Sequence, residues 1–504
     1  MNIKRAKEEI KNTIEAYLLK DEYGEYVIPQ VRQRPVLLLG APGIGKTQIM
    51  EQVAKECGVG LVAYTITHHT RQSAIGLPFV SRQAFGGREY AVTEYTMSEI
   101  VASIYEKMEK TGLKEGILFI DEINCVSETL APAMLQFLQC KTFGNHEIPQ
   151  GWIIVAAGNP PEYNKSVREF DVVTMDRVKK IEVEPDFAVW KEYAVREQLH
   201  PAVISYLNTR VSNFYKMETT VDGRKFATPR GWEDLSVMLQ VYDKLDKTMD
   251  REVAAQYIQH DMIAKDFANY LELYKKYQMD YQIEAVLEGR IDDLLLKKAS
   301  HASFDERLSV VSLLLSRCRK GFADVMLLEE VLGLLFEQLK GLKEGLFGVH
   351  SGQPLVFFGE ILKEFQHEVT HKKEAELLSR REEQICRKVT EVLEGYLLNL
   401  QKAGIREGEA AFALVKGWFD EEQNKLDKML DGAGEMLEHA FDFIEAAFGS
   451  GQEMVVFITE LNSDYHSVRF LQEYECERYY RYNEQLLFEE GSRSIEARLS
   501  ALGK

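Results

Sequence analysis

The chain has 504 residues, 45% of them apolar, which is enough to bury more than one core, so several domains are expected rather than one. A net charge of -19 repels phosphate backbones, and no long basic run offsets it, which argues against a non-specific nucleic-acid binder. The six cysteines, Cys57, Cys125, Cys140, Cys318, Cys386 and Cys476, lack paired or metal-ligand spacing, so reduced thiols in a cytoplasmic protein fit better than a disulfide framework or a zinc site.

The opening MNIKRAKEEIKNTIEAYLL alternates acids and bases on a helical period and lacks the apolar centre of a signal peptide. No stretch approaches the roughly 18 uncharged apolar residues of a membrane span, and no membrane association is expected. Between residues 35 and 185, short apolar runs alternate with helical patterns: VLLLG at 36–40, LVAYTI at 61–66, ILFID at 117–121, WIIVAA at 152–157 and KIEVE at 180–184. Continuous apolar runs of this kind predict a five-stranded parallel sheet covered on both faces. Past Pro185 the strand signals fade. Residues 186–275 read as a helical unit with a polar turn at 221–225, and 276–504 as an all-helical region. There Leu426, Met429, Leu430, Ala433, Leu437, Ala440, Phe441, Ile444 and Phe448 fall on one helical stripe, read as bundle core. The aromatic stretch 474–482 has no basic surroundings and reads as packing rather than base stacking. The expected division is 1–185, 186–275 and 276–504.

Between the first apolar run and the first helix stand Gly40, Ala41, Pro42, Gly43, Ile44, Gly45, Lys46 and Thr47, followed by Gln48. The spacing satisfies G-x-x-x-x-G-K-[ST] in the strand-to-helix context that a phosphate-binding loop requires. Glycines let the backbone N–H groups converge on phosphate oxygens, and the helix dipole adds to their field. Lys46 is expected to reach the β- and γ-phosphates, and the Thr47 hydroxyl to ligate Mg2+. The run 117–121 ends in Asp121 and Glu122, the first a candidate metal ligand and the second a candidate base for an attacking water. Asn159 follows the buried run 152–157, and in a parallel sheet it shares an edge with the loop and the carboxylates. His68 and His69 have no partner at ligand spacing, so no metal site is read there.

In this order the three motifs resemble AAA+ ATPases, and the wording resembles the MoxR branch: Ile75-Gly-Leu-Pro78, Phe119-Ile-Asp-Glu-Ile-Asn124, Ala156-Ala-Gly-Asn-Pro-Pro161, Asp176-Arg177 and Thr228-Pro-Arg-Gly-Trp232. The resemblance covers roughly residues 25–275. It implies a P-loop AAA+ core with a helical lid, ATP and Mg2+ as ligands, Lys46 and Thr47 as Walker A, Asp121 and Glu122 as Walker B, and Asn159 as sensor 1. It further implies Arg230 as the sensor 2 arginine and Arg177 as the finger reaching a neighbouring subunit's site. Val178 stands where relatives carry Phe, and Arg168 competes for the finger role. The loop 142–149 corresponds to one that projects from the ring face in relatives.

The resemblance also implies a hexameric ring whose ATP hydrolysis drives chaperone-like remodelling of a partner protein. Proteins with a von Willebrand factor A domain are the partner class it suggests. Two other readings stand beside it: a nucleic-acid-directed motor or restriction-type subunit, against which the acidity argues, and a non-hydrolysing nucleotide-dependent scaffold.

Overall fold

The computed structural model describes residues 1–68, 71–143, 146–163, 170–220, 223–348 and 352–487, apart from the side chains of residues 68, 71 and 73. Arg168 and His69 lie outside the described residues, as does the side chain of His68. The chain forms two compact units. The first comprises Met1–Val189 with Thr228–Arg230 and His367–Glu383, and the second comprises Trp190–Ala227, Gly231–Gln366 and the residues from Gln384 on.

The first unit begins with α1 (Ile3–Leu18), capped by the Asn2 side chain, which accepts from the Arg5 N–H at 3.0 Å. There follow β1 (Val36–Gly40), α2 (Lys46–Cys57), β2 (Gly60–Thr65), α3 (Arg71–Ile75), the strands β3 (Pro78–Phe85) and β4 (Arg88–Tyr95), and α4 (Glu99–Thr111). Next come β5 (Gly116–Asp121), α5 (Ala131–Cys140), β6 (Thr142–Phe143), β7 (His146–Glu147), β8 (Trp152–Gly158), α6 (Val172–Arg177) and β9 (Lys179–Val183). The five expected runs form one parallel sheet in the order β2-β5-β8-β1-β9. Every residue of β8 is buried, and so are the first five of β5, as continuous apolar runs in a two-sided parallel sheet require. The Trp152 indole lies across the starts of β2 and β5; a Cβ on Gly116 would come within 2.6 Å of it and one on Gly60 within 3.2 Å. Two glycines thus make room for the largest side chain of the core.

The pairings Leu39↔Gly158 and Ile120↔Ala156 bring the carboxyl ends of β1, β5 and β8 level on one edge. In an open α/β sheet this edge, where the strand order reverses, is the ligand-binding edge.

Three antiparallel hairpins appear among the described residues that the sequence pattern does not predict. In the β3–β4 hairpin the turn Gly86-Gly87 takes positive φ at both residues (58° and 79°), the geometry that a two-residue hairpin turn demands. Its base explains the Ile75-Gly-Leu-Pro78 motif. Gly76 has φ 100°, and a Cβ there would sit 2.0 Å from the Thr96 carbonyl oxygen, while the Leu77 N–H donates to the Thr96 hydroxyl at 2.8 Å. β6 and β7 form the second hairpin.

The third, β10 (Lys216–Thr220) with β11 (Gly223–Ala227), lies in the second unit, where only a polar turn was expected. Neither strand carries an apolar run, which is why the sequence pattern does not announce them. Otherwise this unit is helical. Tyr206, Trp232 and Phe267 pack as one ring cluster, and the Trp232 indole donates to the Asn213 carbonyl at 3.1 Å. The longest helices are α-helical spans of 43 residues (Phe304–Leu346) and 41 residues (Gly408–Phe448). On the second of these, the expected stripe is buried from Ala433 through Ile444, whereas Leu426 and Leu430 are only half-buried and Met429 is exposed. The aromatic stretch 474–482 packs as expected. A Cβ on Gly434 would meet the Tyr474 ring at 2.1 Å, and the Tyr479 hydroxyl donates to Asn462 Oδ1 at 2.6 Å.

Candidate functional site

The loop between β1 and α2 uses its glycines in different ways. Gly43 (φ 75°) and Gly45 (φ 91°) occupy the left-handed region that lets the backbone curl, and Gly45 starts α2. Gly40 has no such φ; it is needed for closeness, since a Cβ there would lie 2.6 Å from the Val183 carbonyl oxygen and 2.9 Å from Ile44 Cδ1. Ala41 and Ile44 are buried beneath the loop, Pro42 is half-buried, and Gln48 is exposed on α2.

Lys46 is buried, and its ammonium donates to Gly40 O at 2.8 Å, Ala41 O at 2.8 Å and Asn159 Oδ1 at 2.9 Å. Its three N–H donors therefore have three acceptors. Burial pushes its pKa down to about 8, with the positive charge of Arg230 acting in the same direction and the carboxylates of Asp121 and Glu122 opposing it. The Thr47 hydroxyl donates to Asp121 Oδ2 at 2.8 Å, while Asp121 Oδ1 accepts the Glu122 N–H at 2.9 Å. Two hydrogen-bonded pairs, Lys46 with Asn159 and Thr47 with Asp121, thus stand at the edge of the sheet and are joined through the adjacent residues 46 and 47. Glu122 is half-buried beside them with φ 56°, an uncommon conformation for a residue with a side chain.

Arg230 also belongs to the first unit. Its N–H donates to the Gly43 carbonyl at 3.1 Å, and a Cβ on Gly43 would stand 3.1 Å from the Thr228 hydroxyl. Arg177 is exposed at the end of α6, beside edge strand β9, where its guanidinium donates to the Gln139 side-chain oxygen on α5. Its competitor Arg168 is outside the described residues.

The donors suited to Mg2+ are hard oxygens, and the Thr47 hydroxyl with the Asp121 carboxylate supplies two of them side by side. No group of three or more His, Cys, Asp or Glu able to hold a metal occurs among the described residues.

Asn124 is a residue to which the sequence pattern assigns no role. It is 4% exposed, and its side chain pairs with the main chain of Asn159: Nδ2 donates to the Asn159 carbonyl at 2.7 Å, and Oδ1 accepts the Asn159 N–H at 3.3 Å. In the sequence it closes the Phe119-Ile-Asp-Glu-Ile-Asn124 motif, two residues beyond the carboxylate pair, which by itself says nothing about its partner.

Residues 35–178 match the family model described as the AAA domain of the dynein-related subfamily. The matched span takes in β1, β2, β5 and β8, the loop at 40–47, Asp121, Glu122, Asn159 and Arg177. It is an AAA+ ATPase domain, a nucleotide-binding P-loop fold. No curated protein matches the chain. Among the described residues, no helix is long and apolar enough to cross a membrane.

Proposed function

We propose that this chain is a MoxR-type AAA+ ATPase that hydrolyses ATP and uses the resulting movement to remodel or mature a partner protein. The observation that carries the reading is the cluster in which Lys46 meets Asn159 and Thr47 meets Asp121, because it joins three sequence-distant motifs at the ligand-binding edge of the sheet. Lys46 and the N–H groups of the loop neutralise the β- and γ-phosphates. Thr47 and Asp121 hold Mg2+, which when bound supplies charge neutralisation at the phosphates. Glu122 takes the proton of the attacking water as its oxygen bonds to the γ-phosphorus and the bond to the ADP oxygen breaks. Asn159 orients that water or the γ-phosphate, and Arg230 adds positive charge from the segment beside Gly43.

Arg177 acts as the finger for a neighbouring subunit, which makes a ring, hexameric by resemblance, the hydrolysing species. Residues 186–275 serve as the lid and 276–504 as the surface that engages the partner, with a von Willebrand factor A domain protein as the first class to test.

The test is steady-state phosphate release by the full chain beside its Glu122→Gln variant. Wild type turns over ATP with Mg2+ present, and Glu122→Gln binds ATP with turnover lowered about 100-fold or more, the scale on which a general base contributes. Turnover in Glu122→Gln close to that of wild type removes Glu122 from the base role.

A further inference from the structure

The regular β5–β8 ladder ends at Ile120↔Ala156, and beyond it the two segments stay joined by the Ile123 N–H donating to Ala157 O at 2.9 Å. The next connection is made by a side chain. The Asn124 amide supplies one donor and one acceptor, as a peptide unit in a neighbouring strand would, and both partners are the N–H and C=O of Asn159. The fit depends on Gly158, where a Cβ would stand 2.6 Å from Asn124 Oδ1 and 2.9 Å from its Cγ. After Asn159 comes Pro160, which restricts the backbone of the residue preceding it. Asn159 is therefore held from one side by Asn124 and restricted on the other by proline, while its own side chain meets Lys46 at 2.9 Å.

We infer that Asn124 is a positioning residue that acts through Asn159, locking the Asn159 amide in register with the Asp121–Glu122 turn so that the two sides of the phosphate site move as one piece. The inference rests on the ATPase reading above. It goes beyond that reading because Asn124 would touch neither nucleotide nor water. A buried amide that merely satisfied strand-end polar groups would contribute to stability alone; a positioning residue affects turnover through its partner.

The experiment is a double-mutant cycle on the full chain, with Asn124→Ala, Asn159→Ala and the double variant, measuring kcat at saturating ATP, ATP Kd and thermal midpoint. Asn124→Ala is expected to lower kcat about 10- to 100-fold, the scale of a misplaced catalytic group, with Kd within about twofold and the double variant no slower than Asn159→Ala. Multiplying losses, a wild-type kcat in Asn124→Ala, or a Kd loss as large as the kcat loss would overturn the inference. Asn124→Asp provides a near-isosteric second variant. It keeps the acceptor for the Asn159 N–H, sets a carboxylate against the Asn159 carbonyl, and should lower kcat in the same direction if Asn124→Ala does not fold. Amide hydrogen exchange over residues 153–163 is independent of turnover: Asn124→Ala should speed exchange at Asn159, and unchanged exchange refutes the clamp. A wild-type chain without turnover would overturn the hydrolase reading, and the exchange result would then decide the clamp alone.

Discussion

If Lys46 meets the phosphates of ATP as proposed, ATP affinity should depend on pH through the burial of its ammonium. Burial among two carbonyls and an amide lowers its pKa from the ordinary 10.5 to about 8. That lowering corresponds to about 3 kcal/mol against the charged form. Because the folded pKa lies below the unfolded one, the unfolded chain holds the extra proton between about 8 and 10.5. This group therefore disfavours folding below pH 8, and the penalty is relieved as pH rises through that window. ATP reverses the balance, since a polyphosphate beside the ammonium restores its charge and binding takes up a proton above pH 8. Kd should be flat from about pH 7.5 to 8, where the triphosphate is already ionised, and then weaken up to about tenfold per pH unit, reaching about 30-fold at pH 9.5. The assay is calorimetric titration of ATP with Mg2+ at half-unit pH steps, repeated in two buffers of different ionisation enthalpy to count the protons. Lys46→Arg does not titrate in this range and should give a weaker but flat profile. A wild-type Kd unchanged to pH 9.5, or the same slope in Lys46→Arg, would refute the argument.

If Arg177 completes a neighbour's site, Arg177→Ala and Lys46→Ala should each be inactive alone and recover part of the wild-type turnover when mixed under conditions where rings containing both form; no recovery in such mixed rings removes Arg177 from that role. Gly434→Ala should destabilise the second unit by about 1–3 kcal/mol, because the added Cβ would meet the half-buried Tyr474 ring at 2.1 Å. Urea unfolding reads this out, and Gly434→Ala paired with Tyr474→Ala should recover part of the loss; an unchanged midpoint in Gly434→Ala would show that the ring moves aside freely.

The sheet was legible because a strand buried on both faces must be apolar throughout: VLLLG, ILFID and WIIVAA cannot be mistaken for exposed segments, and their observed bounds differ from the expected ones by one residue at most. The hairpins were less legible for the opposite reason. Most of the β3–β4 hairpin faces solvent, and no residue of Lys216-Met-Glu-Thr-Thr220 is fully buried, so burial imposes no period on them. In the site, the residues the structure brings together, Lys46, Thr47, Asp121 and Asn159, were legible because each sits at the end of an unmistakable strand or the start of the helix after it. Asn124 was not, because its partner is a main-chain unit 35 residues away, and backbone groups leave no mark in a sequence. The contact of Thr228 and Arg230 with Gly43 was hidden for a related reason: a glycine required by a tertiary neighbour looks the same as one required by its own loop.

The glycines of the phosphate-loop motif are not interchangeable in this chain. The three answer three separate demands. Gly45 needs positive φ to start α2, so a substitution there strains the loop whatever surrounds it. Gly40 has ordinary backbone angles and is required because β9 passes close by, so its demand comes from the packing of β1 on Val183. Gly43 carries both constraints, a φ of 75° and the Thr228 hydroxyl within 3.1 Å of where a Cβ would be, and its carbonyl accepts the Arg230 N–H. Any change in the loop that rotates the backbone on either side of Gly43 must therefore shift or break the bond to Arg230. Under the proposed reading, the bond from the Arg230 N–H to the Gly43 carbonyl therefore ties the placement of Arg230 to the loop whose N–H groups would meet the phosphates.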